Sequence, residues 1–160
     1  MKPRLDRSRP KPVLIAGLGN PDRGDDGFGP AVLARLAPLR LPHVEMAVCR
    51  RPLDLLDLWP DRRLALLVDA ALPWKQPGRL TRLEPLLQKM PLAACSSTHS
   101  IGLTQAIELA LALGMLPGRL VVYAAEAHDS TFGAPLSPPV AAAVEEAVRG
   151  IVEELDNSGG

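Results

Sequence analysis

Aromatic residues are scarce in this chain: two Phe, two Trp and one Tyr among 160 residues. Any core must therefore be aliphatic, drawn from the Leu, Ala and Val that dominate its 47% of apolar positions. Net charge is also missing. The 18 basic residues are matched by 18 acidic ones, which argues against nucleic acid as a partner, because such binding needs a basic excess or patch. The two cysteines, Cys49 and Cys95, lie far apart and form no CxxC pair. That argues against a disulfide framework and suits reduced thiols in a cytoplasmic protein. No apolar run reaches the ~18–20 residues that span a bilayer, so membrane insertion is not expected. The opening MKPRLDRSRPKP is basic and broken by proline, with no apolar stretch behind it, and reads as a tail rather than a signal peptide.

What remains fits one domain, since domains commonly hold roughly 100–200 residues. The 17 prolines and 13 glycines mark defined loops, and the segments between them are too apolar for disorder. Val13–Gly17, Val44–Cys49, Leu64–Val68 and Leu120–Ala124 read as strands, and the continuous aliphatic runs among them suit burial on both faces. Arg79–Glu84 alternates polar and apolar residues, as a solvent-facing edge strand does. Helices are expected over Pro30–Ala37, Leu53–Trp59 and Ile101–Leu113, the last closed by Gly114. A final helix is expected from Ser137 as N-cap and Pro138 at the first position to about Leu155. Strands alternating with helices predict a single-domain three-layer α/β/α sandwich. Its sheet is mostly parallel, with one antiparallel edge strand at Arg79–Glu84. Residues 1–11 read as a flexible basic tail, 12–155 as the domain and 156–160 as a frayed terminus.

In an open α/β sheet the ligand crevice lies beyond the carboxyl ends of the strands. Three polar residues are expected there. Asp26 lies in the glycine loop GLGNPDRGDDGFG after the first strand, Asp69 ends the strand LALLVDA, and His99 lies in CSSTHSIG before the long helix. A carboxylate ending a buried aliphatic strand needs a partner. Asp69 reads either as a cap for a neighbouring loop's amides or as a metal or substrate ligand. The small polar residues around His99 describe an open loop, and a helix N-terminus disfavours the imidazolium. His128 and Glu126, near the end of the fifth strand, are secondary candidates. Two carboxylates and one imidazole suit zinc, nickel or a similar divalent ion with coordination positions left open. A dinucleotide fits poorly, because Asp22 stands where GxGxxG needs its third glycine and the loop's three aspartates repel phosphate. Cys95 and His99 would meet as thiol and base only in a helical segment, and the intervening Ser/Thr run argues against one.

GLGNPDRGDDGFGPAVLARL, LLVDA, SSTHSIGLTQAIELALALG and the later GAPLSPPV together resemble the hydrogenase maturation endopeptidases. The likeness runs from Val13 to about Glu154. It implies an endopeptidase that removes a C-terminal extension from the nickel-loaded large-subunit precursor of a nickel–iron hydrogenase. By position, the family's metal ligands fall on Asp26, Asp69 and His99, with Asp26 where many members carry Glu. The nickel is implied to arrive with the substrate, and zinc or another divalent ion can stand in for it. Asp25 reads as an orienter of a ligand or loop amide or as a turn former, with Asn20 and Gly19 shaping the same loop. A non-catalytic nickel-dependent docking protein would need the same ligands. Peptidyl-tRNA hydrolases also open with GLGNP, but they continue with a tyrosine and a nearby histidine that this chain lacks.

Overall fold

The computed structural model of the chain describes residues 11–71, 76–87 and 98–159. Among these residues, five strands form one sheet. They are β1 (Val13–Leu18), β2 (Val44–Cys49), β3 (Ala65–Ala71), β4 (Leu80–Leu83) and β5 (Leu120–Glu126), in the order β2-β1-β3-β5-β4. The ladders from β2 through β5 are parallel, with Val13 opposite Val44, Leu14 opposite Ala65, and Ala65 opposite Leu120. β4 runs antiparallel along β5, with Leu80 opposite Ala125. The expected mixed sheet with an antiparallel edge is thus present.

Alternation along each strand divides the core in two. Val13 and Ile15 of β1, with Leu66 and Val68 of β3, face the layer of α1 (Phe28–Leu36) and α3 (Pro138–Ser158). Leu14 and Ala16 of β1, with Ala65 and Leu67 of β3, face α2 (Thr98–Leu113) and the 3-10 segment Pro52–Asp57. Both faces are covered, which is why these strands read as unbroken apolar runs. On α3, Val140, Ala143, Val144, Ala147 and Ile151 are buried at helical spacing. Removing a side chain such as Ile151, which is fully buried, costs about 2–5 kcal/mol in such a core.

α2 ends as expected of a helix followed by glycine. Gly114 has φ +66°, its amide donates to Leu111 O (3.3 Å), and the Met115 amide donates to Ala110 O (2.8 Å). This is the paired bonding of a Schellman motif. Several boundaries differ from expectation. α2 begins at Thr98 rather than Ile101, and α3 reaches Ser158 rather than about Leu155. The expected helix over Leu53–Trp59 is a 3-10 segment. β3 and β5 each run past their expected ends, because Asp69–Ala71 pair with Ala124–Glu126 beyond the reach of β1. Lys11, assigned to the tail, donates to Pro60 O at 2.9 Å. Residues 1–10 and Cys95 lie outside the described residues. Among the described residues no helix is long and apolar enough to cross a membrane.

Candidate functional site

The strand order reverses between β1 and β3. From β1 the chain passes outward to β2, whereas β3 lies on the other side with β5 and β4 beyond it. Such a switch point opens a crevice at the carboxyl ends of the strands. Backbone contacts are close at this end of the sheet. An added Cβ on Gly29 would sit 2.6 Å from both Leu18 O and Val68 O, so α1 can approach the ends of β1 and β3 only with glycine there. Gly19 has φ +124°, and a Cβ on it would come within 2.0 Å of Asp26 O. The loop can therefore fold back on itself only through glycine.

That fold turns Asp26 back toward the end of β1. Its Oδ2 accepts the Asn20 amide at 2.9 Å, and Asn20 Oδ1 accepts the Asp22 amide at 3.0 Å. Asp26 is half-buried. Asp69 is nearly buried, 5% exposed, and it lies inside β3 rather than at its end. It follows Val68, the last β3 residue paired with β1, and stands opposite Ala124 of β5. Its Oδ1 accepts the Ala70 amide at 2.8 Å. Alternation with Ala65 and Leu67 puts Asp69 on the α2 face of the sheet.

α2 begins at this same end of the sheet. Past its C-terminus, the Gly118 amide donates to Arg62 O (2.8 Å), just before β3 starts. Near its N-terminus, Gly102 packs on Pro52, just after β2 ends. His99 is the second residue of α2, within its first turn and not in an open loop before it; its side chain lies outside the described residues. The structure thus brings Asp26, Asp69 and the backbone of His99 to one edge. Among the described residues, no three His, Cys, Asp or Glu side chains gather into a metal-holding group.

The remaining candidates serve other contacts. Glu126 Oε2 accepts the Gln76 amide at 2.9 Å, fastening the turn that leads into β4. The His128 side chain is exposed, while its backbone amide donates to Asp25 Oδ2 at 2.7 Å. Asp25 is fully buried. Its Oδ2 also accepts the Asp129 amide (2.9 Å) and the Ser137 hydroxyl (2.8 Å), and its Oδ1 accepts the Ser137 amide (2.7 Å). Burial pushes this carboxyl up, but the amides of Asp129, Ser137 and His128 and the Ser137 hydroxyl outweigh it, so its pKa lies below the ordinary value. Ser137 is the residue before α3, as expected, but its side chain makes no capping bond; its hydroxyl goes to Asp25. Local sequence signals did not reveal this pairing.

Cys49, at the end of β2, is buried. Burial, and then the charge of Asp54, push its thiol up, which makes it a poor nucleophile.

The sequence model described as hydrogenase maturation protease matches residues 51–154. Solved structures match over nearly the whole chain. A hydrogenase 2 maturation peptidase from a Thaumarchaeota archaeon is 30% identical, with a TM-score of 0.66 over 91% of this chain and 98% of that one. A NiFe hydrogenase maturation protease from Thermococcus kodakarensis is 26% identical, with a TM-score of 0.70 over 90% and 98%. The hydrogenase maturating endopeptidase of Escherichia coli is 23% identical, with a TM-score of 0.78 over 92% and 94%; at that identity it supports the fold alone. No curated protein matches the chain by sequence.

Proposed function

Because the chain belongs to the hydrogenase maturation protease family, we propose that it removes the C-terminal extension of the nickel-loaded large-subunit precursor of a nickel–iron hydrogenase. Water is added across one peptide bond, leaving a new carboxyl terminus on the subunit and an amine on the released peptide. Asp26, Asp69 and His99 take hold of the substrate's nickel, and that contact makes cleavage conditional on metal loading. A divalent ion held there would polarise the scissile carbonyl, activate water or only position the bond. The protein's own contribution is orientation. Asp26 is set by the Asn20 amide, and Asp69 by its place in a strand buried on both faces.

The observation that carries this reading is convergence. A carboxylate from the β1 loop, a carboxylate within β3 and the first turn of α2 all lie toward the carboxyl ends of the strands, where the strand order reverses. Buried Cys49 offers no competing nucleophile among the described residues. The reaction is expected in the cytoplasm, with neither nucleic acid nor a membrane as partner.

The test is intact mass spectrometry of the precursor after incubation with the purified protein, with and without nickel. Loss of the C-terminal peptide from the nickel-loaded form alone is expected. A stable complex without cleavage would make the protein a docking factor. Equal cleavage of both forms would remove nickel from recognition.

A further inference from the structure

The buried carboxylate of Asp25 does more than a turn requires. An Asx-turn uses donors a residue or two away, as Asn20 does for Asp22. The donors to Asp25 come instead from His128, Asp129 and Ser137, between 103 and 112 residues along the chain. Backbone bonds run beside them. The Asp25 amide donates to Asp129 O (2.7 Å), Gly24 to Ala134 O (3.1 Å), and Gly133 to Asp22 O (2.7 Å). The fit is close, since a Cβ on Gly24 would fall 2.3 Å from Asp129 O. The loop leaving β1 is thereby joined along its length to the loop leaving β5.

Asp26 is the next residue, one peptide bond from this knot. The Asn20 amide fixes its side chain from one side, and the immobilised Asp25 backbone fixes its Cα from the other. Four bonds to an ionised acceptor are individually strong, and three of the donors are backbone amides with no rotamer freedom. A site that must hold an ion against a peptide tolerates only about 0.5 Å of looseness.

Resting on the function proposed above, the geometry points to Asp25 as a positioning residue: by binding the 128–137 loop it holds Asp26 in the ligand geometry for precursor cleavage. Ser137 shares the task, because its amide and hydroxyl supply two of the four bonds. The loop that Asp25 grips also carries Phe132, 73% exposed. A shift of that loop would reach Asp26 through the knot.

The test compares steady-state cleavage of the nickel-loaded precursor by wild type, Asp25→Asn, Ser137→Ala, Ser137→Thr and Ile151→Val. The last is a core variant distant from the knot that controls for lost stability. Tm and the folded fraction are measured for each, and rates are expressed per folded molecule. Asp25→Asn is expected to lower kcat by ~10–100-fold, the usual effect of disturbing a ligand's support, with KM changed less than about 3-fold. Ser137→Ala should lower kcat by a smaller factor, and Ser137→Thr, which keeps the hydroxyl, should restore it. Ile151→Val should leave kcat unchanged even where its Tm falls. If Asp25→Asn does not fold, the Ser137 pair decides. Wild-type kcat in folded Asp25→Asn, or in Ser137→Ala when the former is lost, would overturn the inference alone. So would a kcat loss in Ile151→Val matching that of the knot variants. A wild-type protein that leaves the precursor intact would overturn the functional reading, and the inference with it.

Discussion

Two polar clusters in this molecule spend their charges differently. At the carboxyl edge of the sheet, the buried carboxylate of Asp25 is satisfied by three backbone amides and a hydroxyl. Where β4 meets α3, long side chains pair instead. Glu154 takes Arg82 on one oxygen and Arg119 on the other, Tyr123 adds its hydroxyl, and Glu84 bridges the two arginines. Those arginine side chains are 39% exposed, so solvent screens part of the attraction. Backbone donors fix position; ion pairs between flexible chains fix it loosely. The first cluster is therefore suited to setting a site's geometry and the second to fastening an edge strand to a helix.

Loss of a proposed ligand should separate the two regions most widely. Asp26→Ala and His99→Ala are each expected to reduce precursor cleavage by more than roughly 10³-fold, with far-UV circular dichroism unchanged. Near-normal cleavage by either would remove that residue from the site.

The flank should behave in the opposite way. Glu154→Gln leaves Glu84 as the remaining carboxylate partner of Arg82 and Arg119 among the described residues. It should lower stability by about 1–2 kcal/mol, read as a drop in the urea midpoint, while kcat per folded molecule stays at the wild-type value. A kcat loss as large as that of a ligand variant would erase the distinction between the regions.

pH offers a finer probe of the flank. The Arg119 hydrogen bond, opposed by burial and aided by the charges of Arg119 and Arg82, holds Glu84 below the usual glutamate pKa. Its folded pKa lies below its unfolded one, so its contribution is full above the unfolded value. It is lost as pH falls through the folded value. Wild type should therefore lose more Tm than Glu84→Gln over that acid window, and added salt should shrink the difference. Parallel Tm-against-pH curves would deny Glu84 this role. The smallest effect is expected at the Arg35–Glu145 pair, where both side chains are 58% exposed. Arg35→Ala should leave Tm unchanged within error.

Much of the fold was legible in the chain. The aliphatic runs marked the strands buried on both faces, and Gly114 marked the end of α2. Boundaries failed where neighbours decide them. Asp69–Ala71 stay in β3 because β5 continues alongside, and nothing within LALLVDA announces that partner. The Ser/Thr run before Ile101 reads as loop by propensity, yet α2 begins at Thr98. At the site, Asp69 stood out because a carboxylate at the end of an apolar strand is costly, and Asp26 because its loop follows the first strand into the crevice expected there. The work of Asp25 was hidden, since its donors lie over 100 residues away. Ser137 was placed correctly before α3, but its hydroxyl answers to a buried carboxylate that helix capping rules do not consider.

The most direct test of this division between site and fastening is one time course. Asp69→Ala and Glu154→Gln are incubated side by side with nickel-loaded precursor under conditions where both are folded, and intact mass is followed. Glu154→Gln is expected to release the C-terminal peptide at the wild-type rate and Asp69→Ala to release none. Equal rates from the two variants would contradict that division.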